Sequence, residues 1–388
     1  MRLKNLTTND HEKSIHQRLH SRWAAGSLRQ LSISNSLIDF SSNDYLGFAR
    51  SAELKAQFED SLKEHPHFQL GSTGSRLLAG NDRFTEALEN EIAAFHLAES
   101  ALIFNSGYDA NLGLLSSLPQ RKDTIIADEL VHASIIDGAR LSYANRFMFR
   151  HNDLHSLEQK LKRSTGKIYI VVESIYSMDG DEAPLMEICN LAERYAAAVL
   201  VDEAHAVGLF GNQGRGLVEE KGLNDRVFAR TVTFGKALGT HGAAILGSNI
   251  LRSFLVNFAR SFVYSTAASF TSHLATKVAY HFLTQYDHQS AIHQRINLFK
   301  SIVNAGDQLV KSRSPIQMII IPGNQEAKNA AKELSHLGFD VRPILSPSVK
   351  TGSERLRICL HNHNSLEEIE QLALSLKTIV SPRVLGTN

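Results

Sequence analysis

Between residues 100 and 201 the chain alternates short, continuously apolar runs with segments whose apolar positions share one helical face. This pattern predicts strands over 101–104, 124–127, 147–149, 168–172 and 198–201. It predicts helices over 108–117, 132–141 and 153–162, and another marked by Leu185, Ile188, Leu191, Ala192 and Tyr195. Strands that are apolar throughout suit a sheet covered on both faces, and strand–helix alternation points to mostly parallel pairing. Two more buried strands are predicted at 227–234 and 242–247. Upstream, a helical pattern covers 8–30 and ends near 26–29, a short strand covers 37–42, and a helix covers 51–63. Phe84, Leu88, Ile92 and Phe95 form the apolar stripe of one further helix. Downstream, 250–312 reads as helical. After Pro315 come strands at 316–321, 340–343 and 355–360 and helices at 325–337 and 365–378, the pattern of a small antiparallel α+β unit with helices on one side. The expected organisation is α/β: a helix and connector at 1–45, a large domain with a mostly parallel central sheet at 46–285, and a small α+β domain at 286–388.

Length and charge agree with this division. The 388 residues favour two domains over one, and a formal net charge of +1 gives no footprint for nucleic acid. The two cysteines, Cys189 and Cys359, are far apart and form neither a disulfide framework nor a metal-thiolate spacing, which fits a reducing, cytoplasmic setting. The opening MRLKNLTTNDHEKS lacks an apolar signal core, and no apolar run is long enough to span a bilayer. The 18 histidines show no HExxH-type spacing, so no metal is expected.

The candidate chemistry lies at predicted strand ends, where open parallel sheets bind ligands. Lys236 sits between the strands 227–234 and 242–247, flanked by Gly235 and Gly239. A lysine held there is partly desolvated, which lowers its pKa and makes the amine a nucleophile. On this stretch alone, a solvated lysine in a glycine-rich turn stands equally well. Ser106-Gly107-Tyr108 follows a strand and opens a helix, which suits a phosphate or an ordinary turn. Asp202 ends a strand and needs a cationic partner, whether a salt bridge, a cap or a protonated ring nitrogen. Glu173, Ser174 and Ser177 make a neighbouring strand end polar, and His132 could stack on a planar ring or pack in the core. The run GSTGSRLLAGN at 71–81 could bind an anion or simply bend. One lysine, one carboxylate, a phosphate seat and a flat imidazole are together the components of a pyridoxal phosphate site.

The chain resembles the α-oxoamine synthases, pyridoxal phosphate enzymes of the aspartate-aminotransferase fold. The matching segments are FSSNDYLG (40–47), GSTGSRLLAGN (71–81), NSGYDAN (105–111), DELVHASIIDGARLS (128–142), ESIYSMDGDEAPL (173–185), VDEAHAVGLFGNQGRG (201–216), TVTFGKALGTHGAAILGS (231–248), VYST (263–266) and RLRICL (355–360). The resemblance implies that Lys236 forms the Schiff base, Asp202 pairs with the pyridinium nitrogen, His205 donates to the phenolic oxygen and His132 stacks on the ring. It implies cofactor contacts at Gly107, Tyr108, Ser177 and Thr233, and a Thr266 hydroxyl reaching the phosphate of a neighbouring subunit. Asn43 and Arg357 match groups that hold the amino-acid carboxylate, and Arg29 and Ser348 match contacts to the acyl substrate. Where Ser348 stands, the family pattern often has threonine. The implied reaction condenses L-alanine with pimeloyl-CoA, or with a pimeloyl carrier-protein thioester, to 8-amino-7-oxononanoate with loss of CO2, a step of biotin synthesis. The implied assembly is a homodimer with active sites at the interface. The alternative within the family joins glycine to acetyl-CoA, as glycine C-acetyltransferase does, although TFGKALGTHGAA looks more like the alanine-using enzyme. A non-catalytic partner subunit typically lacks the lysine that this chain has, and a nucleotide-dependent dehydrogenase is disfavoured because no GxGxxG follows a strand.

Overall fold

The computed structural model describes residues 10–31, 37–303 and 308–380. Outside the described residues lie the start of the helix expected from residue 8, connector residues 32–36, positions 304–307 of the expected helical run, and the end of the expected small domain.

Helix α1 (Asp10–Ala24) precedes a two-residue strand β1 (Ile38–Asp39), where six strand residues were expected. Then follow α2 (Ala52–Lys63), α3 (Arg83–Phe95), β2 (Ser100–Phe104), α4 (Gly107–Ser117), β3 (Thr124–Asp128), α5 (Ala133–Leu141), β4 (Asn145–Phe149), α6 (Leu154–Leu161), β5 (Ile168–Glu173), α7 (Leu185–Arg194) and β6 (Ala197–Asp202). A short α8 (Leu217–Glu220), β7 (Ala229–Thr233) and β8 (Ala243–Gly247) complete the central sheet. Its strand order is β2-β8-β7-β6-β5-β3-β4. Only β8 runs antiparallel to its neighbours; the pairs from β7 to β4 are all parallel. Strands β2 and β3 are buried along their whole length, which is why their sequences do not alternate. The expectation of apolar, covered strands fails at β4: at one edge of the sheet it buries only Phe149 and leaves most of its length to solvent, whereas β2 at the other edge is covered by α3 and by the helix 249–258.

Among the described residues, the expected helical run at 250–312 is four helices, α9 (Asn249–Phe258), α10 (Arg260–Val263), α11 (Phe270–Gln285) and α12 (His288–Val303), and 309–312 are not helical, because Leu309 bridges Ile319. The run breaks at Ala259, whose extended backbone separates α9 from α10, at Ser269, whose side chain caps α11, and at the extended Tyr286 that ends α11. The C-terminal unit holds β9 (Ile316–Ile320), α13 (Asn324–His336), β10 (Phe339–Asp340), β11 (Arg342–Ile344), β12 (Arg355–Cys359) and α14 (Leu366–Val380). The single strand expected at 340–343 is therefore two. β11 joins the antiparallel sheet β11-β12-β9, whereas β10 pairs in parallel with β1. That pairing ties the segment before residue 40 to the C-terminal unit and sets the loop 40–47 between the two sheets. Among the described residues no helix is long and apolar enough to cross a membrane.

Candidate active site

The carboxyl ends of β5, β6 and β7 open onto a cavity of about 210 Å³, faced by the N-terminus of α4 and by His132 at the start of α5. Two glycines make this arrangement possible. A Cβ on Gly107 would come within 2.6 Å of Thr233 Cγ2, so only glycine lets α4 start against β7. Gly239 has φ +64, and a Cβ there would collide with the backbone of Ala49. The turn between β7 and β8 is closed by backbone bonds from Phe234 to Gly242 and from Gly239 to Lys236, both 2.9 Å. This holds Lys236 rigidly against the loop 40–50.

Lys236 is half-buried as a residue, but its amine lies deep in the cavity wall. Burial pushes its pKa down to about 8, against the opposing pull of the Asp202 and Glu173 carboxyls. The amine donates to His205 Nε2 at 2.7 Å. His205 is fully enclosed, and burial together with the Lys236 charge keeps its pKa well below the ordinary imidazole value. The neutral ring therefore carries its proton on Nδ1, which donates to Tyr45 Oη at 2.8 Å. Tyr45 in turn donates to Asn43 Oδ1 at 3.0 Å, and Arg357 Nη2 donates to the same oxygen at 3.0 Å. Arg357 Nε is fixed on the carbonyl of Ser177. A continuous chain of hydrogen bonds thus joins the amine to a guanidinium.

A second network organises the opposite wall. Asp202 accepts from Asn111 Nδ2 at 2.7 Å and from the Ala204 amide at 2.9 Å. The other N–H of Asn111 goes to Ser134 Oγ at 3.0 Å, and Ser134 donates to His132 Nδ1 at 2.8 Å. Burial lowers the His132 pKa. With Nδ1 accepting from both the hydroxyl and the amide of Ser134, the neutral ring keeps its proton on Nε2. Ser106 caps α4 by accepting from the Asp109 amide, which leaves the first-turn N–H groups and the positive end of the helix toward the cavity.

Of the residues singled out in the sequence, Gly107, Tyr108, His132, Asp202, His205, Thr233 and Lys236 line this one cavity. Asn43, Ser177 and Arg357 adjoin it through the bonds just described. Thr266 does not line it. It borders a separate cavity of about 20 Å³ with Arg76 and Asn105, and its carbonyl accepts from Asn105. Arg29 and Ser348 are exposed and stand apart from it. The run 71–81 lies elsewhere too, with Gly71, Ser72, Gly80 and Asn81 bordering a third cavity. Sequence reasoning assigned no role to Asn111 or Tyr45. The only local signal was that each falls within a motif, NSGYDAN or FSSNDYLG.

The donor set fits pyridoxal phosphate: a reactive amine, a carboxylate fixed by two donors, a neutral imidazole and a helix N-terminus around one cavity. Comparison with known proteins agrees. Residues 35–376 match the family described as aminotransferase class I and II. The chain belongs to this family of pyridoxal phosphate-dependent enzymes, and its relatives place it among the α-oxoamine synthases. The 8-amino-7-oxononanoate synthase of Emericella nidulans is 39% identical over 368 residues, 89% of each chain. That of Lysinibacillus sphaericus is 37% identical over 88% of each. Among solved structures, serine palmitoyltransferase of Sphingomonas wittichii superimposes with a TM-score of 0.86 at 26% identity, covering 98% of this chain and 100% of the other. The 8-amino-7-oxononanoate synthase of Francisella tularensis gives 0.78 at 27% identity, covering 91% and 100%. The fold is thus that of the type I pyridoxal phosphate transferases, and the chain is an enzyme of the acyltransferase kind.

Proposed function

We propose that this enzyme condenses L-alanine with a pimeloyl thioester, carried on coenzyme A or on a carrier protein, to give 8-amino-7-oxononanoate, CO2 and the free thiol. The observation that carries the reading is the buried Lys236 amine, bonded to His205 and sharing its cavity with Asp202. The curated relatives of that name support the substrate assignment.

Lys236 would hold the cofactor covalently, Asp202 the proton on its ring nitrogen, and His132 the face of its ring. Gly107, Tyr108, Ser177 and Thr233 would contact the cofactor, several of them near its phosphate, which would sit at the first turn of α4. When bound, pyridoxal phosphate supplies the electron sink that makes the amino acid's Cα acidic. The free Lys236 Nζ takes the Cα proton and later returns it. A pKa near 8 leaves it competent in both directions at neutral pH. His205 Nε2 orients that amine. Arg357, steadied by Asn43 and the Ser177 carbonyl, holds the amino-acid carboxylate until it leaves as CO2. Thr266 is assigned to the phosphate of a second copy in a homodimer, and Arg29 and Ser348 to the acyl donor.

The test is a matrix of alanine, glycine and serine against pimeloyl, acetyl and palmitoyl thioesters, reading thiol and CO2 release. Alanine with the pimeloyl donor is expected to exceed glycine by about 10- to 200-fold, the worth of one methyl group in a fitted pocket. Preferred turnover of glycine with acetyl-CoA would refute the assignment.

A further inference from the structure

Glu173 ends β5 directly beside Asp202 at the end of β6, the two being register partners in adjacent parallel strands. Their backbones are therefore about 4.8 Å apart, and both side chains border the same cavity. They are not equivalent. Both oxygens of Asp202 accept hydrogen bonds, from Asn111 and from the Ala204 amide. Glu173 is 2% exposed. Its Oε2 accepts from the Ser177 amide at 3.1 Å, and its Oε1 is buried with no partner among the described residues. A carboxylate in that state would leave a charged oxygen wholly unsolvated.

The groups that face Glu173 decide where the proton goes. Asp202 on β6 repels a second negative charge, Lys236 in the β7–β8 turn attracts it, and His132 before α5 contributes its amide but, being neutral, no cation. Burial is the largest influence and the Asp202 charge adds to it, so the Glu173 pKa rises to about 8.

We propose that Glu173 is the neutral half of a carboxyl pair: it keeps a proton on the buried Oε1 and so confines the negative charge of this wall to Asp202. One lysine then faces one carboxylate, and a cationic ring nitrogen finds its charge partner at Asp202 alone. Glu173 is a positioning residue, acting through Asp202. The inference rests on the cofactor dependence of the enzyme but not on which amino acid or thioester it uses, so failure of the alanine assignment would leave it standing.

Infrared difference spectra of the apo-protein, with glutamate carboxyls isotopically labelled, read the proton directly. The wild type is expected to show a protonated-carboxyl band at pH 7 that is lost with a midpoint near 8, and Glu173→Gln to lack it. In Asp202→Asn the neighbouring charge is gone, and the midpoint should move down by about one pH unit or more. In the reconstituted protein, the visible cofactor spectrum of the wild type should change through the same alkaline midpoint, and that of Glu173→Gln should not. Absence of the band at pH 7, a midpoint unmoved by Asp202→Asn, or identical pH profiles of the cofactor spectrum would each overturn the proposal. Should Glu173→Gln fail to fold, Glu173→Ala takes its place in assigning the band, since Glu203 is a second buried glutamate whose pKa burial raises; absence of the band in the wild type overturns the proposal without any variant.

Discussion

The reactivity of Lys236 can be predicted from its surroundings and measured without substrate. Burial pushes its pKa from 10.5 to about 8, while Asp202 and Glu173 oppose the shift and Arg357 reinforces it. At pH 7 an unperturbed lysine is about 0.03% free amine; one titrating near 8 is about 10% free, roughly 300-fold more nucleophile. The assay is stopped-flow capture of pyridoxal phosphate by apo-protein, followed by growth of its visible band from pH 6 to 11. The rate should climb with an apparent midpoint near 8, and Lys236→Ala should show no such phase and no borohydride-fixed label. The sign of a second perturbation also follows. Asp202→Asn removes a negative charge that stabilises the ammonium, so the midpoint should move to lower pH even as binding weakens. A midpoint at about 10 in the wild type, the value of a solvated lysine, would refute the view that desolvation activates this amine. A shift to higher pH in Asp202→Asn would refute its electrostatic half.

Three further outcomes are expected. Asn111→Leu deletes the amide that donates to both Asp202 and Ser134; a lost hydrogen bond to a charged group costs about 1.5–3 kcal/mol, so the cofactor dissociation constant in spectroscopic titration should rise about 10- to 150-fold. Tyr45→Phe leaves the buried His205 Nδ1 proton without an acceptor, which should lower apo-protein stability in urea by about 1–3 kcal/mol; an unchanged midpoint would show that the relay carries no energy. His151 sits between Asp128 Oδ1 at 3.0 Å and Asp181 Oδ2 at 2.8 Å, and although burial opposes it, those bonds hold its pKa up to about 9. Because the folded pKa lies above the ordinary 6.5, the stabilisation is fully present below pH 6.5 and is lost as pH rises through 9. The stability gap between wild type and His151→Gln should therefore shrink across that window, by about 3 kcal/mol in urea titrations.

How much of the fold is legible in the sequence follows the range of the forces involved. The alternation of strands and helices between 100 and 201 is a local pattern set by burial of each element's own residues, and the central sheet matches it element by element. Edge and pairing are not local. Nothing within 145–149 says that β4 has a neighbour on one side only, and nothing within 339–344 says that two residues pair with β1 and the next three with β12. The same divide runs through the site. Lys236 was visible as a lone cation in a glycine-rich turn between two apolar runs, and Asp202 as a carboxylate closing one. Asn111 was not, because its partner Asp202 lies 91 residues further on. Nor was Tyr45, whose hydroxyl meets His205 across 160 residues.

That separation explains why FSSNDYLG reads locally as nothing more than a turn. Its residues are held by other segments: Tyr45 by His205 after β6, Asn43 by Arg357 on β12, and Ser42 by His361 beyond β12. The loop is the seam where the two sheets meet. A ligand carboxylate that drew Arg357 away from Asn43 would release Asn43 Oδ1 to Tyr45 alone, and through Tyr45 would reach the ring that holds the Lys236 amine. The carboxylate clamp and the reactive amine are thus parts of one hydrogen-bonded unit, and substitutions in the loop should alter amino-acid affinity and cofactor capture together.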